Sequence, residues 1–221
     1  MINKPLNSVN DDQVISYKTS PSNSFSKCEW TIYPDGRYQG FLRDNKKEGK
    51  GQYLYSNGDL YEGLFHKDMR QGFGIARYTN GDKYEGQWKN NQFSGSGIYS
   101  YSNGQTYEGQ FRYGFMNGFG VYHWPNGDKY IGFFKNDKRH GYGVFYDKIG
   151  CIYDGYWKYD KRSGRGTIMF PDGSYYKGHW HNDKWHGFGV YLNKDGLITP
   201  GRWCEQRIIT KCSIAKLFAE F

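Results

Sequence analysis

Apolar and polar positions along the chain follow one motif of fixed length. Tyr38, Tyr61, Tyr84, Tyr107, Tyr130, Tyr153 and Tyr176 recur every 23 residues without exception. Two residues after each tyrosine stands a glycine, from Gly40 to Gly178. Two further on comes a large ring, namely Phe65, Trp88, Phe111, Phe134, Trp157 or Trp180, with Leu42 as the exception. Every copy then carries a Gly-x-Gly pair, from Gly49 and Gly51 to Gly187 and Gly189. A last glycine closes each copy at Gly58, Gly81, Gly104, Gly127, Gly150, Gly173 and Gly196. A fixed period of this length is the mark of a repeat architecture, in which each unit stacks on its neighbours.

Spacing by two places the rings and glycines on strands rather than helices. Each unit is expected to be a hairpin. In the third copy the first strand runs from Tyr84 to Trp88, a polar loop spans 89–94, and the second strand runs from Gly95 to Tyr101. Asn-Gly and Asp-Gly pairs such as Asn80-Gly81 and Asp172-Gly173 then turn the chain into the next hairpin, because they accept positive φ at little cost. The expected register sets Gly86 opposite Gly97, Tyr84 opposite Tyr99 and Trp88 opposite Gly95, with Gly97 facing Phe111 of the next copy. Rings would then lie over glycines on one face of the sheet, adjacent repeats burying each other's aromatic surface. A lone hairpin is marginal in water, so stability must come from stacking. Fourteen strands would make a sheet on the order of 65 Å long.

The fold class is therefore all-β: an elongated single-layer antiparallel sheet of tandem 23-residue hairpins with a short C-terminal helix. Residues 1–27, rich in Ser and Asn, are expected to be a flexible arm. Residues 28–203 form the repeat domain: a half-repeat with a Pro34-Asp35-Gly36 turn, seven full copies and a truncated eighth. Residues 204–221 are expected to be an amphipathic helix for capping or docking.

Composition narrows the functional classes. Aromatic residues are 20% of the chain although mean hydropathy is only −0.91, a combination that an aliphatic-cored helical globule would not show. The net charge of +8 favours an anionic neighbour, but the cations are scattered. The four cysteines show neither a disulfide framework nor zinc-ligand spacing, and no apolar run approaches the ~18 residues of a membrane span. A cytoplasmic protein is expected. The Gly-x-Gly pairs neither open a helix nor continue into Gly-Lys-Ser/Thr, so they are not phosphate loops. No nucleophile elbow, triad or kinase signature is present. The histidines lack partners at ligand spacing. No catalytic residue, metal site or cofactor is expected, and the chain reads as a non-enzyme. Nucleic acid is disfavoured as a partner, since the rings occupy packing positions rather than a stacking platform.

The informative positions lie on the other face. Phe73, Ile75, Ile98, Phe119, Val121, Tyr142, Val144, Phe188 and Val190 alternate with the paired glycines, joined by Phe41, Leu64, Phe133 and Tyr156 from the first strands. A contiguous apolar patch of this kind is seldom left bare. It could dock a partner, lie under the chain's own C-terminal helix, or reflect β-propensity alone. Docking of an amphipathic helix is the expected use. A second array sits in the hairpin loops: Lys67, Arg70, Lys135, Lys138, Arg139, Lys161 and Arg162, which could meet acidic phospholipid headgroups. Acidic residues interrupt it, and solubility alone would also account for it. The end strands could pair end to end.

Tyr84-Glu85-Gly86-Gln87-Trp88-Lys89-Asn90, with Gly95-x-Gly97 and Asn103-Gly104 behind it, resembles the MORN (membrane occupation and recognition nexus) repeat. The resemblance spans residues 28 to about 203. It implies a β-sheet trough without catalytic machinery. Proteins with such repeats occur in membrane junctions, plant phosphoinositide kinases, a lysine methyltransferase, myosin-tail adaptors, ciliary radial spokes and the cortical cytoskeleton of parasites. The resemblance thus implies a scaffold in a cytoskeletal assembly such as a ciliary axoneme or cell cortex, with a lipid-binding module as the alternative. Repeat five departs from the pattern at Asp147 to Cys151, a stretch compatible with a bend, a partner-contact notch or drift. Ala76 and Ile168 replace rings in repeats two and six.

Overall fold

The computed structural model describes residues 29–213, and these form one sheet of 17 antiparallel strands, each paired with its neighbours in sequence. β1 (Thr31–Tyr33) and β2 (Gly36–Arg43) open it, β3 (Lys46–Tyr55) and β4 (Leu60–His66) follow, and the pattern repeats. The middle of the sheet comprises β5 (Met69–Arg77), β6 (Lys83–Lys89), β7 (Gln92–Ser100), β8 (Thr106–Arg112), β9 (Phe115–His123), β10 (Lys129–Lys135) and β11 (Lys138–Tyr146). β12 (Ile152–Lys158), β13 (Lys161–Met169), β14 (Tyr175–His181), β15 (Lys184–Leu192), β16 (Ile198–Cys204) and β17 (Arg207–Lys211) complete it. At ~4.8 Å per strand the ribbon measures about 75 Å across its strands.

The hairpin loops are tighter than the sequence predicts. Residues 89–94 do not form a loop; Lys89 pairs with Gln92, and only Asn90 and Asn91 turn, at φ of 49° and 65°. Two positive φ values in succession make a type I′ turn, whose twist matches that of the flanking strands. The same geometry recurs at Lys67-Asp68, Asn136-Asp137, Tyr159-Asp160 and Asn182-Asp183. Since the turn takes only two residues, β7 carries two more than β6 between Phe93 and Gly97, and the ladder shifts there. Trp88 therefore faces Phe93 rather than Gly95. Across the next interface Gly97 faces Gly109, and it is Gly95 that faces Phe111. The expected pairs Gly86–Gly97 and Tyr84–Tyr99 are present.

This shift gives the two glycines of each Gly-x-Gly pair different tasks. Gly95 sits in the bulge at φ +64°, a conformation costly for residues with a Cβ. Gly97 is an ordinary strand residue in which a Cβ would lie 2.5 Å from the Tyr84 hydroxyl oxygen.

The core is a herringbone of rings. Tyr84 is fully buried between Trp88 of its own repeat and Phe111 of the next, with centroids 5.2 Å away in both cases and planes nearly perpendicular. Tyr107 stands likewise between Phe111 and Phe134, and Tyr130 between Phe134 and Trp157. Edge-to-face contacts of this type add roughly 0.5–1.5 kcal/mol each beyond area burial. Each tyrosine hydroxyl lies across the paired glycines and donates to the carbonyl three residues on, as in Tyr84 to Gln87 (2.8 Å) and Tyr107 to Gln110 (2.9 Å). Where the following ring is Trp, its Nε1 donates to the preceding repeat, as in Trp88 to the Gly74 carbonyl at 3.1 Å.

Two expectations at the ends change. Glu205 and Gln206 form another I′ turn, and Arg207–Lys211 is β17, paired to β16, so no helix begins at 204. The β-branched run Ile208-Ile209-Thr210 completes the eighth hairpin, and Ile208 covers Gly201 where the eighth copy lacks a tyrosine. The remainder of the predicted helix and the predicted N-terminal arm lie outside the described residues. The loop at Asp147–Cys151 is no bend: it keeps the backbone bonds of its siblings, Asp147 N to Cys151 O and Gly150 N to Asp147 O.

Candidate functional site

With the ring face packed on itself, no described residue covers the opposite face, and the strand register arranges it in rows. Along one row the order is Glu62, Ile75, Glu85, Ile98, Glu108, then Val121, Ile131, Val144 and Asp154. The N-terminal half thus alternates acid and aliphatic, whereas Val121, Ile131 and Val144 are contiguous. The neighbouring row sets Phe119 against Phe133 and Tyr142 against Tyr156, with centroids 5.7 and 5.8 Å apart. These four rings are each about half exposed. Tyr142 also donates to Asp154; that bond, with some desolvation, raises its phenol above the ordinary pKa.

The expected ladder is therefore not uniform. Ile75 and Ile98 lie between glutamates, Phe73 faces Gln87, and Phe188 lies opposite Arg202, whose guanidinium sits 5.6 Å from its ring. Val190 is flanked by Lys177 and Pro200. Phe119, Val121, Phe133, Tyr142, Val144 and Tyr156 do come together, on β9–β12. Sequence reasoning missed a third row that extends this field: Tyr146, Ile152, Met169, Tyr175, Leu192 and Ile198, paired in that order across β11–β16. It also missed Ile131. The signal was available at the residue before each repeat tyrosine, which is Arg37, Leu60, Lys83, Thr106 and Lys129 in repeats one to five and Ile152 and Tyr175 in the last two.

The basic residues divide between the two faces. Arg70, Arg139 and Arg162 lie on the ring face, their guanidinium carbons 4.3, 4.2 and 4.6 Å from the rings of Trp88, Trp157 and Trp180. Arg139 and Arg162 are further tied to Asp160 and Asp183. Lys67 is a turn residue whose backbone N–H reaches Glu48. Lys135, Lys138 and Lys161 instead join Arg112, Lys158 and Lys184 in a row on the open face, along the turn edge of β8–β15. The acids that interrupt this row in sequence are engaged elsewhere. Asp137, Asp160 and Asp183 accept the backbone N–H of Met116, Arg139 and Arg162 at 2.8–2.9 Å, locking each turn to the one before.

The open face of β9–β16 thus offers an apolar field bordered on one side by cations. Among the described residues no three His, Cys, Asp or Glu side chains gather as metal ligands, and no helix is long and apolar enough to cross a membrane.

A family model described as the MORN repeat matches seven times in succession, at residues 38–60, 61–83, 84–106, 107–129, 130–152, 153–175 and 176–198. No curated protein matches the chain. Solved structures with a related outline include the TCP domain of Drosophila melanogaster SAS-4 in complex with a proline-rich motif of Ana2. That domain is 15% identical over 70% of this chain and 84% of its own, with a TM-score of 0.44. The TCP10 domain of Danio rerio CPAP, in complex with a STIL peptide, is 12% identical over 83% and 98% of the two chains, with a TM-score of 0.28.

Proposed function

Because the chain belongs to the MORN repeat family, we propose that it is a non-catalytic scaffold that docks a helical segment of a partner protein on the open face of β9–β16. The observation that carries this reading is the contiguous field built by the exposed Phe119, Phe133, Tyr142 and Tyr156 with the half-buried Val121, Ile131 and Val144. Soluble surfaces seldom leave so many clustered rings bare. Eight strands at ~4.8 Å offer a track of roughly 35 Å, the length of a helix of about 23 residues. The border of lysines selects a helix with an apolar stripe flanked by Asp and Glu. The assembly it serves is cytoskeletal, at a ciliary axoneme or cell cortex, a reading that rests on the family resemblance.

The cation row supports a second reading, a peripheral module for acidic phospholipid. Phe119→Ser with Tyr142→Ser removes two half-exposed rings from the field and leaves the herringbone untouched, so folding should be unchanged. Proteins retained by the wild type should be lost by this double variant, at both low and high salt. Retention of the same partners by the folded variant refutes the docking field. Sedimentation with phosphatidylserine vesicles, abolished by salt or by Lys135→Glu with Lys138→Glu, would favour the lipid reading.

A further inference from the structure

On the ring face, repeat two differs from its siblings at one place. The second strand of a repeat normally sets a large side chain opposite the repeat tyrosine: Tyr53, Tyr99, Tyr122, Phe145, Ile168 and Tyr191. Repeat two has Ala76 there, opposite Tyr61 and Tyr84. A hollow of about 480 Å³ results, walled by Tyr55, Tyr61, Tyr78 and Arg70 and rimmed by Asp35 and Asp59.

The siblings define what shape and bonds this hollow offers. Tyr99 packs its ring 4.5 Å from Tyr101, and Tyr122 packs 4.5 Å from Trp124, both tilted by about 45°. Tyr78 holds the corresponding place beside Ala76. The Tyr99 hydroxyl donates to Asp82 at 2.8 Å, and that of Tyr122 donates to Gln105 at 2.6 Å. The acceptor lies 17 residues before the tyrosine in both cases, which for position 76 is Asp59. Asp59 keeps every other bond of Asp82: its carboxylate accepts the next loop's N–H from Thr79 at 2.8 Å, as Asp82 accepts from Ser102, and each accepts its own asparagine side chain. The phenol is the one donor of the set missing at Asp59. The N–H contacts hold the Asp59 carboxyl below its ordinary pKa, so it stands ready as a charged acceptor.

A second observation points the same way. Arg70 Nε is buried without a hydrogen-bond partner. In Arg139 and Arg162 the same atom reaches Asp160 and Asp183. For Arg70 the equivalent turn residue, in repeat three, is Asn91, whose side-chain oxygen accepts only the Arg70 backbone N–H. Arg70 lines both this hollow and a smaller adjoining one of about 270 Å³. A buried donor left unpaired is costly, and an incoming carbonyl would satisfy it.

We propose that the hollow at Ala76 is a receptor for a tyrosine side chain presented by a partner peptide. The phenol ring takes the place a repeat tyrosine fills elsewhere, its O–H donates to Asp59, and a carbonyl of the peptide accepts from Arg70 Nε. The site excludes phosphotyrosine, since a dianion would meet the carboxylates of Asp59 and Asp35. It lies on the face opposite the β9–β16 field and stands or falls independently of that field.

The test uses N-acetyl-tyrosinamide as probe, with the phenylalanine and phosphotyrosine analogues as controls, followed by ligand-observed NMR on the full chain. The tyrosine amide should bind at least ~10-fold more tightly than the phenylalanine amide, the discrimination typical of a charge-assisted hydrogen bond. The phosphotyrosine amide should not bind. Ala76→Tyr should abolish binding and raise Tm on the order of 5 °C, because it supplies the missing side chain in cis. Ala76→Phe should abolish binding too, and it serves where the tyrosine variant folds poorly. Equal binding of the tyrosine and phenylalanine amides overturns the proposal, as does binding that survives both substitutions, or no binding to the wild type at all.

Discussion

Gly109→Ala puts the herringbone to its most direct test. Gly109 has ordinary strand dihedrals, so by backbone preference alone alanine should be better by about 0.5–1 kcal/mol. Space says the opposite. A Cβ there would lie 2.5 Å from the Tyr107 hydroxyl oxygen and 2.6 Å from the Gly120 Cα, and no flexible side-chain end is present to yield. Relief requires tilting a fully buried ring out of its contacts with Phe111 and Phe134, whose centroids are 5.1 and 5.0 Å away. Those two contacts stand for roughly 0.5–1.5 kcal/mol each, and the hydroxyl bond to the Gln110 carbonyl for about 1 kcal/mol. After the alanine gain is subtracted, the net cost is about 1–3.5 kcal/mol, a fall of roughly 2–14 °C in Tm for a chain of this size. Urea unfolding followed by tryptophan fluorescence measures it. Hydrogen exchange should show the loss concentrated in β8 and β9, since repeats couple chiefly to their neighbours. Gly114→Ala, in the turn of the same hairpin, is the internal control. Nothing lies within 4 Å of its Cβ position but φ is +85°, so the cost is strain alone, about 1–2 kcal/mol. If Gly109→Ala costs less than ~1 kcal/mol, or less than Gly114→Ala, the glycines do not make room for the rings and the packing account is wrong.

Two further outcomes follow from the same geometry. Gly114→Asp should be more stable than Gly114→Ala by about 1–2 kcal/mol in the same urea assay, because Asp tolerates positive φ better than alanine and Asp137, Asp160 and Asp183 at the equivalent turns accept a neighbouring backbone N–H; equal stability of the two variants would mean that the turn-to-turn bonds add nothing net. Burial raises the phenols of Tyr61, Tyr84, Tyr107, Tyr130, Tyr153 and Tyr176 well above their ordinary 10.0, so the stability they contribute is complete below pH 10 and is lost as pH rises beyond it. Tyrosinate absorbance from these residues should emerge together with loss of the sheet, and ionisation near pH 10 in a still-folded chain would contradict their burial.

Much of this was legible from spacing, and the parts that were not have a common physical origin. The period of 23, the pairing of Gly86 with Gly97 and the burial of one aromatic face follow from alternation alone, because side chains on a strand change face at every residue. The I′ turns were hidden because their positions hold Lys, Tyr, Glu and Gln as well as Asn, Asp and Gly, and only the last three signal positive φ. Taking the turn to be long made the bulge invisible, so the first glycine of each pair was given the task of the second. The helix expected from 204 failed for a related reason. Ile208, Ile209 and Cys212 allow a helical stripe, but the preceding Trp203 strand offers an unpaired edge, and a two-residue turn suffices to use it.

The open face was harder to read because neighbours on it come from different repeats. Ile152 and Met169 are 17 residues apart, and Met169 and Tyr175 only six, yet they are consecutive members of one row. Only the register, bulge included, brings them together. The two faces also differ in how far the copies within this one chain agree. On the ring face the tyrosine and its glycines recur in all seven copies, since a departure there removes a ring from a contact shared by two repeats. On the open face equivalent positions hold Glu62, Glu85, Glu108, Ile131, Asp154 and Lys177 in turn. Packing on the ring face is indifferent to that choice, because these side chains point away from it. The divergent face is therefore where one repeat can differ from another without unfolding the ribbon, and it is there, on β9–β16, that apolar side chains collect against the demands of solubility.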